Sequence, residues 1–130
     1  MVKLNKKAVD LLRGKNFPFI ATINRDGSPQ VTPVWVDTDG RNVLINTAIG
    51  RAKERNVARD RRVAVAVYDM ANPYYRVSLD GRVKRTIVGK KADDHIEKLS
   101  LKYTGNKFQD RSPGQKRIIL VVEPTRIREQ

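Results

Sequence analysis

Three Asp-Gly pairs, Asp26-Gly27, Asp39-Gly40 and Asp80-Gly81, punctuate a series of short apolar segments, and no other feature restricts the fold as strongly. Such pairs favour tight hairpin turns, because glycine takes the positive φ that these turns require. The segments between them are rich in β-branched and aromatic residues: 17–23 (FPFIATI), 30–36 (QVTPVWV) and 43–48 (VLINTA). Segment 62–68 (RVAVAVY) follows, then 75–79 (YRVSL) and 83–88 (VKRTIV) with Asp80-Gly81 as the turn between them, and finally 118–122 (IILVV), which Pro124 ends. Residues 69–73 and 108–115 read as loops. This pattern predicts six or seven strands joined by hairpins, hence a mainly antiparallel sheet. Closing such a sheet removes its exposed edges, which favours a small β-barrel.

Three stretches change to helical spacing. Leu4, Ala8, Leu11 and Leu12 recur along one face, with Asn5 as cap and Gly14 as stop. Residues 50–60 form a second short helix. Residues 93–103 form a third, in which Ile96, Leu99 and Tyr103 share a face and Gly105 ends the run. The fold class is therefore mainly β with short helices. The length of 130 residues fits one domain spanning 1–130. The basic residues up to Lys7 precede no hydrophobic stretch, so no signal peptide is expected.

Composition removes several chemistries. The chain has no cysteine, which excludes disulfide frameworks, thiol catalysis and thiolate metal sites, and it suits a cytoplasmic location. His95 is the single histidine, so multi-histidine metal centres and serine–histidine triads have little to work with, and no metal is expected. It follows Asp93 and Asp94 at a helix start and reads as a partly exposed structural histidine. No apolar run is long enough to span a membrane as a helix. Lys and Arg number 27 against 14 Asp and Glu, a formal charge of +13 that draws anions at long range.

That charge has a focus. The strand ending Asn46-Thr47-Ala48 runs through Gly50 into a helix whose first turn carries Arg51 and Lys53. A helix N-terminus is already positive, so cations there are disfavoured unless an anion joins them. Free backbone amides, two side-chain cations and a threonine hydroxyl together suit a phosphate. The competing reading is a solvated basic face. A second signal is Pro33 inside its strand, where it removes a ladder donor and implies a bend or an unpaired stretch. Trp35, the single tryptophan, suits the core. A third is Tyr74-Tyr75-Arg76, which suits stacking on a planar anion or lining a dimer interface.

The run FPFIATINRDGSPQVTPVWVDTDGRNVLINTAIGRAKERNVARDRRVAVAV, followed by NPYYRVSLDGRV and ADDHIEKLSLKYTG, resembles the pyridoxamine-phosphate-oxidase-like split β-barrel proteins that bind flavin or deazaflavin. The combination of SPQVTPVW, the NT pair, GRAKERN and NPY is similar to the subgroup that uses coenzyme F420. The resemblance implies a homodimer with two cofactor sites at its interface and a small-molecule substrate. By position it places Gln30, Thr32, Pro33, Val34 and Trp35 along the flavin-like ring. Asn46, Thr47 and Ala48 would lie under the ribityl chain and phosphate; Arg51 and Lys53 would bind the phosphate, with Asn56 nearby. Tyr74, Tyr75 and Arg76 would come from across the interface, although Arg76 stands where an aromatic or neutral residue is expected. The expected function is hydride transfer between F420 and a small organic molecule. FMN is the alternative cofactor, and a carrier without turnover is the alternative role. A basic barrel that binds nucleic acid is the reading from another class. Against it stands the absence of a strand with interleaved aromatic and basic residues.

Overall fold

The structure, a computed structural model, describes residues 2–109 and 112–129. Its elements run α1 (Lys6–Arg13), β1 (Phe19–Ile23), β2 (Pro29–Pro33), β3 (Val36–Thr38), β4 (Val43–Ala48), α2 (Ala52–Arg59), β5 (Arg62–Asp69), β6 (Asn72–Val88), α3 (Lys90–Thr104) and β7 (Arg117–Glu129). The seven strands form one antiparallel sheet in the order β2-β1-β5-β6-β7-β4-β3. The two edge strands are consecutive in sequence. Segment 29–38 pairs with β1 through its first half and with β4 through its second, so the sheet curls into a split β-barrel.

The strand count matches expectation, but its membership differs in two places. Segment 30–36 is not one strand: it parts at Val34 and Trp35, immediately after Pro33. Proline has no amide to offer β4, and the chain changes partner there. Conversely, 75–79 and 83–88 are halves of the single 17-residue strand β6, and Asp80-Gly81 is not a turn. Val77, Leu79, Gly81 and Val83 all point inward, so the period of two continues through the glycine. What Gly81 supplies is space. A Cβ there would sit 2.7 Å from the carbonyl oxygen of Glu123 and 2.7 Å from Cγ1 of Val122 on β7. The β6–β7 register shifts beside it, between Asp80 and Gly81. That bulge also lets β7 run past Pro124, which pairs with Gly81 instead of ending the strand. The expected loop at 69–73 is a tight turn at Met70 and Ala71, and β6 begins at Asn72.

The barrel interior is aliphatic. Ile20, Val36, Ile45, Val65, Leu79, Leu120 and their neighbours fill it, and Ala8, Leu11 and Leu12 of α1 join the same cluster. Asn5 caps α1 as expected, its side chain accepting the Ala8 amide at 2.8 Å. β7 is buried on both sides. Ile118, Leu120 and Val122 face the interior, while Ile119 and Val121 pack with Ala92 at the start of α3. This explains its unbroken apolar run.

α3 is pinned across the barrel's split. The Tyr103 hydroxyl donates to the carbonyl of Asn16 at 2.6 Å and accepts the amide of Val36 at 3.2 Å. Burial pushes its phenol up to about 12. Lys102 donates to the carbonyls of Leu12 and Val36 at 2.8 and 2.7 Å, and burial pushes its ammonium down to about 8. These bonds use backbone groups at the end of α1, in the segment after it and at the start of β3. They also fix the position of Trp35, whose ring stacks on Tyr103 at 5.3 Å.

Candidate functional site

Between the Val34–Trp35 break, the end of β4, the start of α2 and α3 lies a cavity of ≈410 Å³. Cofactor and ligand pockets span roughly 300–1,000 Å³. Phe17, Trp35, Ile96 and Phe108 supply its apolar lining, with the Trp35 and Phe108 rings edge to face. Arg51, Lys53 and Arg117 supply its cations.

The cationic side follows from the strand–helix junction. Gly50 takes φ +97°, which turns the chain from β4 into α2, and its amide donates to Oε1 of Glu54 at 2.8 Å. The Arg55 guanidinium donates back to the Gly50 carbonyl. With the turn braced this way, Arg51 becomes the N-cap residue, and its side chain caps none of the first-turn amides. Lys53 is half-buried on this turn. Burial, together with Arg51 and Arg117, lowers its ammonium below the ordinary lysine value. The Thr47 hydroxyl lies at the same wall, buried and with no hydrogen-bond partner among the described residues. Like charges held together beside such a hydroxyl are complementary to an anion with several acceptor oxygens.

Arg117 enters from the first residue of β7, opposite Ala48 of β4. It is 5% exposed. Its Nε donates to Oδ1 of Asn46 at 2.9 Å, its Nη1 donates to Gln115 at 3.1 Å, and its guanidinium lies over the Phe108 ring at 5.0 Å. Asn46 is thereby turned into a support: its amide nitrogen also donates to the Ala92 carbonyl at 2.9 Å and bonds Nδ1 of His95 at 3.1 Å.

Of the residues singled out from sequence, Pro33, Val34, Trp35, Asn46, Thr47, Arg51 and Lys53 line this one cavity. The others lie elsewhere. Gln30 accepts a bond from Thr22 within the β1–β2 pair, and Thr32 sits on β2 with a buried hydroxyl that has no partner among the described residues. Ala48 is buried, and its carbonyl accepts the Arg51 amide at 3.2 Å. Asn56 points the other way along α2, donating to Thr22 and Asn24 at 3.0 and 2.9 Å and tying the helix to the β1–β2 hairpin. Tyr74 and Tyr75 are exposed at the start of β6, with Lys7 over the Tyr75 ring. Arg76 lines a separate hollow with Phe19, Tyr68 and Arg128. Phe17, Ile96, Phe108 and Arg117 were not anticipated as site residues. Arg117 is one more cation in a basic chain, and only the pairing of β4 with β7 reveals its place. His95 is half-buried and bonded to Asn46.

An antiparallel split barrel of this kind is a fold of flavin-binding oxidoreductases. Residues 4–130 match the family described as pyridoxamine 5'-phosphate oxidase, and the chain belongs to that family. Among solved structures, an F420 reductase superposes with a TM-score of 0.86 at 29% identity, covering 98% of this chain and 100% of its own. A conserved hypothetical protein from Mycobacterium tuberculosis matches at TM-score 0.69 and 21% identity, with coverage of 98% and 84%. The HupZ protein of Group A Streptococcus matches at TM-score 0.66 and 16% identity, with coverage of 95% and 91%, and shares the fold. Among the described residues, no helix is long and apolar enough to cross a membrane. No cluster of histidine and carboxylate side chains there is arranged to hold a metal ion.

Proposed function

We propose that this protein is a coenzyme F420-dependent oxidoreductase that transfers a hydride between the deazaflavin and a small organic substrate. The observation that carries the reading is the mixed lining of one cavity: three cations and a hydroxyl without a partner among the described residues, together with aromatic side chains. F420, when bound, supplies the hydride-carrying ring, and the protein supplies binding, orientation and electrostatics. Arg51, Lys53 and Arg117 hold the phosphate at the start of α2, and Thr47 donates to it. Phe17, Trp35 and Phe108 keep water from one side of the ring, and the Pro33–Val34 backbone fixes its edge. No cysteine and no second histidine are needed for such chemistry.

The choice of F420 over FMN draws support from the similarity to an F420 reductase over the whole chain. The +13 charge also suits the carboxylates of the F420 tail. The reading includes a cytoplasmic homodimer. The outer face of the sheet exposes Phe19, Val31 and Tyr68, and Tyr74 and Tyr75 add aromatic surface near the β5–β6 turn. Sedimentation should give twice the 14.8 kDa of one chain, and a stable species of one chain's mass would contradict the dimer. The catalytic claim is tested by mixing the protein with reduced F420 and a panel of small quinones, nitro compounds and enones. Protein-dependent oxidation of F420 with at least one acceptor is expected. Tight binding without turnover on any acceptor would make the protein a carrier.

A further inference from the structure

We propose that His95 is a positioning residue whose unprotonated Nδ1 holds Asn46, and through it Arg117, so that protonating His95 releases Arg117 from the anion site. The role rests on the cofactor-site reading, because Arg117 is one of its three cations.

The orientation of the Asn46 amide is dictated at both ends. Its oxygen meets Arg117 Nε, which can only donate, at 2.9 Å. Its nitrogen meets the Ala92 carbonyl, which can only accept, at 2.9 Å. The amide nitrogen therefore also faces His95 Nδ1 as a donor, at 3.1 Å, and Nδ1 must accept. Neutral His95 is thus the Nε2–H tautomer, and its Nε2 is buried without a partner among the described residues. A second proton would place an N–H against an N–H₂ group. Asn46 cannot turn over to relieve this, because turning would present its nitrogen to Arg117 and its oxygen to the Ala92 carbonyl. If the amide leaves, Arg117 loses its Nε acceptor; if the imidazole leaves, only the Ala92 carbonyl still holds the Asn46 amide nitrogen, and the support of Arg117 is loosened.

The surrounding charges oppose one another. Asp37 on β3 favours the imidazolium, while Lys98 and Lys102 on α3 disfavour it, and Arg117 on β7 stands behind Asn46. Burial is the largest influence and lowers the imidazole below 6.5, so the change falls on the acid side of neutrality. The folded state thus binds a proton less readily than the unfolded chain. Two effects on an anion then compete. An imidazolium attracts it from beyond Asn46, whereas a released Arg117 removes a direct charge-assisted hydrogen bond. The direct contact is the stronger, so affinity falls as His95 gains its proton.

The test begins on cofactor-free protein, with ¹⁵N spectra of His95 and of the Arg117 Nε–H group, the latter identified by its loss in Arg117→Lys. The expected result is the Nε2–H tautomer near neutral pH and an Arg117 signal that moves to the shift of a solvent-exposed arginine as His95 titrates. Guanidinium proton exchange is base-catalysed and slows in acid, so the released group stays visible and its position reports release. His95→Asn keeps an acceptor at the Nδ1 position without titrating, and its Arg117 signal should hold its position to about pH 5. His95→Leu should show the displaced Arg117 signal, broadened by exchange, already near neutral pH. An Arg117 signal that holds its position through the wild-type titration, or moves in His95→Asn over the same range, overturns the proposal. With F420 as probe, wild-type affinity should fall roughly fivefold or more across the titration and stay level in His95→Asn. Affinity that rises in acid would also overturn it. Failure of F420 to bind at any pH would instead count against the cofactor reading, and the cofactor-free spectra would still decide the role of His95.

Discussion

Alanine at Lys53 is expected to weaken F420 binding by roughly ten- to a hundredfold, because a charge-assisted hydrogen bond contributes about 1.5–3 kcal/mol and each 1.4 kcal/mol is tenfold. Arg51→Ala and Arg117→Ala should fall in the same range. Folding should respond differently from binding. Lys53 is half-buried beside two other cations, and all three influences lower its ammonium below 10.5. Removing it relieves desolvation and repulsion, so the free protein should keep its stability or gain slightly. The same direction sets the pH dependence. An anion restores the proton that Lys53 holds weakly, so affinity should decline as pH rises through the lowered lysine value. Arg25→Ala is the control, since Arg25 is exposed in the β1–β2 turn and removes the same charge. Arg59 suits this purpose less well, because it donates to the Ile23 carbonyl and to Asn56 and so braces α2. Equal losses for Lys53→Ala and Arg25→Ala, measured by titration at fixed ionic strength, would reduce the site to a general basic surface.

Gly81→Ala is expected to destabilise the protein by about 1–3 kcal/mol, the usual cost of forcing a methyl group into a packed position. The added Cβ would meet the Glu123 carbonyl and Val122 Cγ1 at 2.7 Å. Both belong to β7, a strand buried on each side, and neither is the loose end of a flexible side chain. Gly81 does not have positive φ, so the cost comes from packing and not from backbone conformation. A urea midpoint within experimental error of the parent would show that β6 and β7 approach less closely than described.

Both predictions bear on what the sequence reveals. Local signals were legible wherever one element determined them. The β1–β2 hairpin follows from its turn at Asp26-Gly27, α1 from its Asn5 cap, and the cationic lining of the cavity from two cations at a helix start. Asp80-Gly81 misled because the same dipeptide serves two purposes, a positive-φ turn or a close approach of backbones. The inward phase shared by Val77, Leu79, Gly81 and Val83 was the discriminating signal, since a hairpin would have reset it. Pro124 reads as a strand end in isolation. It is tolerated because a register shift on β6 lies opposite it. Arg117 was beyond reach of local reading. It joins the cavity through the pairing of β7 with β4 and bonds a residue 71 positions away. Asn56 illustrates the converse: it lies beside the right cations in sequence, but the helix turns it toward β1.

The central claim is that the cavity is built for an anionic deazaflavin. Trp35 is the single tryptophan and lines it, so its emission reports occupancy directly. Titrating F420 and FMN into the protein at low and high salt, with Trp35 fluorescence as the readout, tests the claim most directly. The account predicts saturable quenching by both, tighter binding of F420, and a larger loss of F420 affinity at high salt because its tail carries additional carboxylates. FMN binding as tightly as F420 or more tightly at both salt concentrations would contradict it.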